Sequence, residues 1–172
     1  RSAAARARME YPTTARKRKS PPHQPEEMDG WPEDDERFYR CLSRFVGVML
    51  TTRADVERCE QKGLSKSNYF KILTAISPNS ELQLGSWAEL RNRYCPDKLS
   101  LSGSAQVLRA ARVFVRALLL FGTRPPTTRW MLQLQPWEGH EKELSPLTLC
   151  VRSEQGARQV EQELTKTYWG IF

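Results

Sequence analysis

The sequence contains little of what enzyme active sites usually require. It has two histidines, His23 and His140, and it lacks the phosphate-binding motif GxxxxGK(S/T), the dinucleotide motif GxGxxG, the zinc motif HExxH and the nucleophile motif GxSxG. A serine or cysteine nucleophile paired with histidine would depend on His140 alone, because His23 lies in the low-complexity start of the chain. We therefore predict a protein that is not an enzyme and that uses no cofactor.

Cysteine is also scarce, and its spacing excludes a familiar metal site. The four cysteines are far apart and include no CxxC pair, so no zinc site is predicted; they are Cys41, Cys59, Cys95 and Cys150. No signal-peptide-like segment and no apolar run of membrane-spanning length is present. We expect an intracellular protein without membrane contact, whose cysteines are reduced and serve as small core residues.

The net charge of +7 is distributed in three blocks. Residues 1–22 carry seven basic residues and one acidic residue, residues 23–36 carry seven acidic residues and no lysine or arginine, and the rest carry twenty basic and twelve acidic residues. Low hydrophobicity and blocks of opposite charge predict that residues 1–34 form a disordered tail, first basic and then acidic. Residues 35–172 are predicted to form a single compact helix-rich domain, which is basic in its own right.

Within the tail, Arg16, Lys17, Arg18 and Lys19 form a run of cations. Such a run in a disordered segment is typical of a nuclear-import signal that binds an import receptor, and it predicts a nuclear protein. The alternative is an ordinary solvated charge run.

Periodic apolar residues predict an irregular helical cluster over residues 35–122. Helices are expected from about Asp35 to Leu50, from Arg53 to Lys62, from Ser65 or Ser67 to Pro78, and from Ser86 to near Pro96, where Ser86 and Glu89 form a capping box. The strongest element runs from Ser104 to Phe121 and should be one long buried helix that ends at Gly122.

Residues 127–172 show a different pattern. Apolar residues occupy every second position in two short segments, at Trp130, Leu132 and Leu134 and at Leu147, Leu149 and Val151. This alternation predicts two short strands on either side of the acidic loop 138–143. A last helix should follow from about Glu154 to Tyr168. The predicted fold is therefore mainly α, of the α+β class, with a small β-β-α C-terminal unit.

Basic side chains on the long helix indicate a nucleic-acid contact. Arg109, Arg112 and Arg116 form a stripe at positions i, i+3 and i+7, and Arg91 and Arg93 lie on the preceding short helix. Guanidinium groups suit phosphate contact, but Gln106 is the single obvious candidate for reading a base edge, so non-specific binding is expected. The alternative is a solvated face of a core helix.

Large aromatic residues near the C-terminus are candidates for a protein interface, because such side chains often dominate binding. They are Trp137, Tyr168, Trp169 and Phe172. The alternative is that these residues close the C-terminal core.

The leading interpretation is a non-catalytic nuclear adaptor or chromatin-associated protein that contacts nucleic acid or an acidic protein surface through its basic domain. A second interpretation is a protein-interaction subunit that uses its aromatic C-terminus and binds no nucleic acid. A small regulatory protein of viral or mobile-element origin fits the same composition.

Overall fold

A computed structural model describes residues 36–170, apart from the side chains of Pro78, Leu82 and Trp169. The predicted tail of residues 1–34 and its import signal lie outside the described residues.

The described chain is helical almost throughout, which confirms the mainly α prediction. Its helices are α1 (Glu36–Val46), α2 (Arg53–Lys62), α3 (Lys66–Ile76), α4 (Glu81–Leu84), α5 (Trp87–Leu90), α6 (Leu101–Phe121), α7 (Arg124–Leu132), α8 (Pro146–Arg152) and α9 (Glu154–Trp169), with a 3-10 turn at Pro78–Ser80.

Polar side chains start several of these helices where the sequence predicted. The Thr52 hydroxyl accepts from the Asp55 backbone N–H, and the Asp55 carboxylate accepts from the Thr52 N–H, so α2 spans the predicted Arg53–Lys62. Ser65 caps α3, and Ser86 with Glu89 forms the predicted capping box of α5. Helix α5 nevertheless ends at Leu90 and not near Pro96, because Arg91 adopts extended backbone angles and pairs with Leu99.

Helix α6 is the centre of the molecule. It packs against each of the other α-helices of the described residues, and its apolar side chains are buried on several sides. It begins at Leu101, before the predicted Ser104, because the Ser100 hydroxyl accepts from the Gly103 N–H; it ends at Gly122, whose φ of 80° is left-handed. The prediction of one long buried helix is confirmed.

The predicted β-β-α unit is wrong. Residues 124–132 form α7 and residues 146–152 form α8, and the described residues contain isolated bridges but no sheet. Proline explains the error, since Pro125 in α7 and Pro146 in α8 occupy first-turn positions that favour a helix, and Ser145 caps α8. Of the expected strand pairing, only the bridge between Gln135 and Leu144 is present across the acidic loop.

The alternation of apolar residues had a different cause in α8. Leu147, Leu149, Cys150 and Val151 are all buried, so this short helix is enclosed on most of its circumference and keeps a narrow polar face at Thr148 and Arg152. Cys59 is buried as well, whereas Cys41 and Cys95 are only half-buried, so the expectation of core cysteines holds for two of the four.

The junction of α8 and α9 depends on a glycine. A Cβ at Gly156 would lie 2.2 Å from the backbone oxygen of Leu149, which is too close for any side chain. We expect Gly156→Ala to lower the free energy of unfolding by about 1–3 kcal/mol, the usual cost of overpacking, measured by urea denaturation. The neighbouring exposed Gln155→Ala is the control and should stay within about 0.5 kcal/mol of the parent. Equal midpoints for the two variants would contradict this view of the junction.

Candidate nucleic-acid interface

The three arginines of the predicted stripe on α6 face the interior. Arg109 donates from Nε to the backbone oxygen of Cys150 (3.1 Å) and from Nη2 to that of Val151 (2.7 Å). These carbonyls belong to the last turn of α8, where the helix dipole is negative and a cation is favourable. Arg109 therefore attaches α8 to α6.

Arg112 and Arg116 share carboxylates of α9. Arg112 donates to Glu154 (2.7 Å) and to Glu161 (2.8 Å), and the Nε of Arg116 lies 3.3 Å from the same Glu161 carboxylate. The guanidinium carbon of Arg116 also lies 4.6 Å from the centre of the Phe38 ring. Burial would lower the pKa of Arg112, but the two carboxylates outweigh burial and raise it above the ordinary arginine value.

These contacts leave the stripe little access to a ligand. The side chains of Arg112 and Arg116 are 19% and 9% exposed. The stripe is thus neither a solvated face nor a row of accessible cations, and its assignment to nucleic acid gains no support from its position. Gln106, the predicted candidate for base reading, donates to the backbone oxygen of Leu84 (3.1 Å).

Arg91 and Arg93 have the opposite environment. Both side chains are exposed, at the end of α5 and in the turn that follows it. The backbone of this segment closes on itself: the Asn92 N–H donates to Lys98 O (2.7 Å) and the Lys98 N–H donates to Cys95 O (3.0 Å). Arg93 therefore projects from a closed loop at residues 91–99.

Backbone hydrogen bonds join this loop to the junction of α2 and α3. The Leu99 N–H donates to Leu64 O (2.8 Å), and the Lys66 N–H donates to Asp97 O (3.0 Å). Gly63 permits the approach, because a Cβ there would lie 2.7 Å from Leu99 O and its φ of 76° is left-handed. The backbones of three separate segments that carry cations are thus brought together at one part of the surface.

We call this surface the basic platform and define it as Lys62, Lys66, Arg91, Arg93 and Lys98. All five side chains are exposed, and within residues 36–170 none of them forms an ion pair. The Lys98 ammonium donates to the backbone oxygen of Lys62 (3.2 Å), which keeps these two lysines adjacent. Asp97 is the one acidic residue of the 91–99 loop. The platform therefore has a local excess of positive charge.

Aromatic rings lie close in the chain to two of these cations. Phe70 follows Lys66 by one turn of α3, and Trp87 precedes Arg91 by one turn, at the start of α5. The rings of Phe70 and Trp87 are 6.4 Å apart, and both contact the buried Tyr69, whose hydroxyl donates to Gly85 O (2.7 Å). Burial raises the pKa of Tyr69 to about 12, so it remains a neutral donor and a fixed support for both rings.

A shallow cavity of 370 Å³ continues the platform toward the end of α1. Its lining combines apolar side chains such as Met49 and Leu64 with Arg58, Lys62 and Lys98. Asp55 also faces it, but Thr51 and Thr52 donate to its carboxylate and hold its pKa well below the usual range, and Arg58 pairs with it. The cavity therefore keeps a net positive rim.

The predicted aromatic interface is only partly described. Trp137 is 7% exposed and donates from its ring nitrogen to Leu144 O (2.8 Å), so it closes the loop between α7 and α8. Tyr168 is exposed near the end of α9. The side chain of Trp169 and all of Phe172 lie outside the described residues.

The described residues hold neither a candidate metal site nor a membrane-spanning helix. No group of three or more histidine, cysteine, aspartate or glutamate side chains between residues 36 and 170 is placed to hold a metal ion. No described helix is long and apolar enough to cross a membrane.

Comparison with known proteins adds no family. The chain matches no protein-family model, and no curated protein sequence is significantly similar to it.

Lys62, Lys66 and Lys98 were not among the predicted contact residues, because three separate segments contribute them to the platform. The one local signal is RNRYCPDK at residues 91–98, where cations and a tyrosine follow one another without the spacing of a helix face.

The internal role of the stripe is testable through Glu161. We expect Glu161→Gln to lower the free energy of unfolding by about 2–4 kcal/mol, because two guanidinium groups lose their shared carboxylate while little water reaches them. The matched control is Glu163→Gln on the same helix, whose exposed pair with Lys166 should contribute less than about 1 kcal/mol. Urea denaturation of both variants measures the difference, and an unchanged midpoint for Glu161→Gln would contradict the assignment.

Proposed function

We propose that this protein is a non-catalytic nuclear protein that binds nucleic acid without sequence specificity through the basic platform. The observation that carries the proposal is that backbone hydrogen bonds join the segments carrying five cations, all of them exposed and without carboxylate partners in the described chain. These cations are Lys62, Lys66, Arg91, Arg93 and Lys98. Exposed cations gathered in this way attract a polyanion by releasing its condensed counterions.

The chemistry of the platform favours phosphate over base edges. Arg91 and Arg93 can each present two donors to a phosphate, and the lysines supply compact charges beside them. Helix α5 has only four residues and is too short to enter a major groove, and Gln106 of α6, the predicted reader of a base edge, is already hydrogen-bonded. Contact should therefore be made mainly to the sugar–phosphate backbone.

The stripe on α6 is not part of this proposal. Of the five arginines first predicted to contact nucleic acid, Arg91 and Arg93 are retained and the interior three are assigned to stability. The second interpretation, a protein-interaction subunit, would use Tyr168 of the predicted aromatic set. An acidic protein surface is an alternative ligand of the basic platform and would compete there with nucleic acid.

The charge contribution can be measured with the full chain. We expect the triple variant Lys66→Glu, Arg91→Glu, Arg93→Glu to weaken binding to a labelled nucleic acid and to reduce the slope of log K against log salt by about 2–3, since each lost phosphate contact removes nearly one unit. Fluorescence anisotropy between about 50 and 200 mM salt gives both quantities.

The control for that experiment is Arg124→Glu, Arg129→Glu, Lys142→Glu, which changes the net charge by the same amount at exposed positions of α7 and the following loop. It should change the slope by less than the platform variant does. Equal effects of the two triple variants would show that only total charge matters and would defeat the assignment to the platform. Binding that is absent at low salt would refute the proposal altogether.

The nuclear part of the proposal depends on the basic run of the tail. We expect replacement of Arg16, Lys17, Arg18 and Lys19 by alanine to move a fluorescent fusion of the whole chain from the nucleus to the cytoplasm, because an import receptor recognises the clustered cations. Alanine at Arg6 and Arg8, also in the tail, is the control and should leave the distribution unchanged. Nuclear accumulation of both variants would contradict this role.

A further inference from the structure

One aromatic side chain of the site is displayed in an unusual way. Tyr94 is 99% exposed although it belongs to a loop closed by backbone hydrogen bonds. Its N–H donates to the Asn92 side-chain oxygen (2.8 Å), and the Asn92 N–H donates to Lys98 O, so the backbone that carries the ring is fixed. Both faces of a large ring are thus available next to Arg93.

A second aromatic position precedes Arg91 in the chain. Phe70 is 40% exposed and pairs with the partly exposed Trp87, while Tyr69 supports both from the core. Trp87 is one helical turn before Arg91 and Tyr94 is three residues after it, so the backbones of Trp87 and Tyr94 are separated by at most about 17 Å. A strand of a few nucleotides can span that distance.

We infer that the ligand of the basic platform is single-stranded nucleic acid, whose bases stack on Tyr94 and on the Phe70–Trp87 pair while the five cations contact its phosphates. The inference rests on the proposed function and narrows it to one class of nucleic acid. Alternation of cations with accessible rings suits an unpaired strand, because every unpaired base offers a flat face to an aromatic ring.

Duplex nucleic acid can contact the cations of this surface but cannot stack on its aromatic rings. Its phosphates can contact Lys62, Lys66, Arg91, Arg93 and Lys98, but its bases are stacked on one another and present no faces to Tyr94 or Trp87. The cationic side chains by themselves do not distinguish the two ligands. The aromatic side chains do, and they determine the preference.

The experiment separates stacking from charge by using the full chain and three labelled probes of matched length: a 12-nucleotide oligothymidylate, the same backbone with abasic sites, and a 12-base-pair duplex. The thymidine strand should bind about 10- to 100-fold more tightly than the abasic strand, because only the former can stack. Tyr94→Ala should weaken thymidine-strand binding by about 5- to 100-fold and change abasic-strand binding by less than about twofold. Tyr94→Phe keeps the ring and should retain the preference for the thymidine strand.

The outcomes distinguish the two proposals. Equal affinity for the thymidine and abasic strands, or tighter binding of the duplex, would overturn the inference of a single-stranded ligand. Salt-dependent binding in the same experiment would still support the proposed function. An unchanged thymidine-strand affinity of Tyr94→Ala would also overturn the role of this ring, and the same measurement on Phe70→Ala would then test the other position. Absence of binding to all three probes at low salt would overturn both proposals.

Discussion

Burial of the charged side of α6 is the constraint on which the rest of the structure depends. Helix α6 contacts every other described α-helix, so its arginines cannot be left to solvent, and each needs an internal partner. Arg109 donates to backbone carbonyls at the end of α8, and Arg112 and Arg116 pair with two carboxylates of α9. Buried ion pairs add little net stability compared with apolar packing, but they allow few alternative alignments. They therefore fix the position of α8 and α9 along α6.

The helical half of the fold could be predicted because its signals are local. The caps at Thr52, Ser65 and Ser86 depend on residues within three positions of each cap, and the apolar residues of α1 and α3 recur with the helical period. The C-terminal half could not be predicted in the same way. In α8 burial on most sides narrows the polar face that identifies a helix to Thr148 and Arg152, and the alternating apolar residues resemble a strand although Ser145 and Pro146 favour a helical start.

The candidate site was predictable only in part for a related reason. A charged side chain looks the same in sequence whether it meets solvent or a distant carboxylate, and the partners of Arg112 lie more than forty residues away. Arg91 and Arg93 are exposed but lie beyond α5 and not on it, and the segments of Lys62 and Lys66 join them only through tertiary hydrogen bonds to Asp97 and Leu99. Proximity of this kind follows from the fold and has no local pattern.

The pairing of the 63–66 segment with residues 97–99 also has a consequence for motion. These hydrogen bonds close a long stretch of chain that contains α3, α4 and α5, so the two sides of the stretch can separate only if the bonds at Lys66 and Leu99 break together. We expect such a stretch to open as a cooperative unit, with its backbone amides exchanging with solvent in a single event. The surface made by Lys66, Phe70, Trp87 and Tyr94 would then be present or absent as a whole, so its rings and charges keep their spacing for as long as it exists.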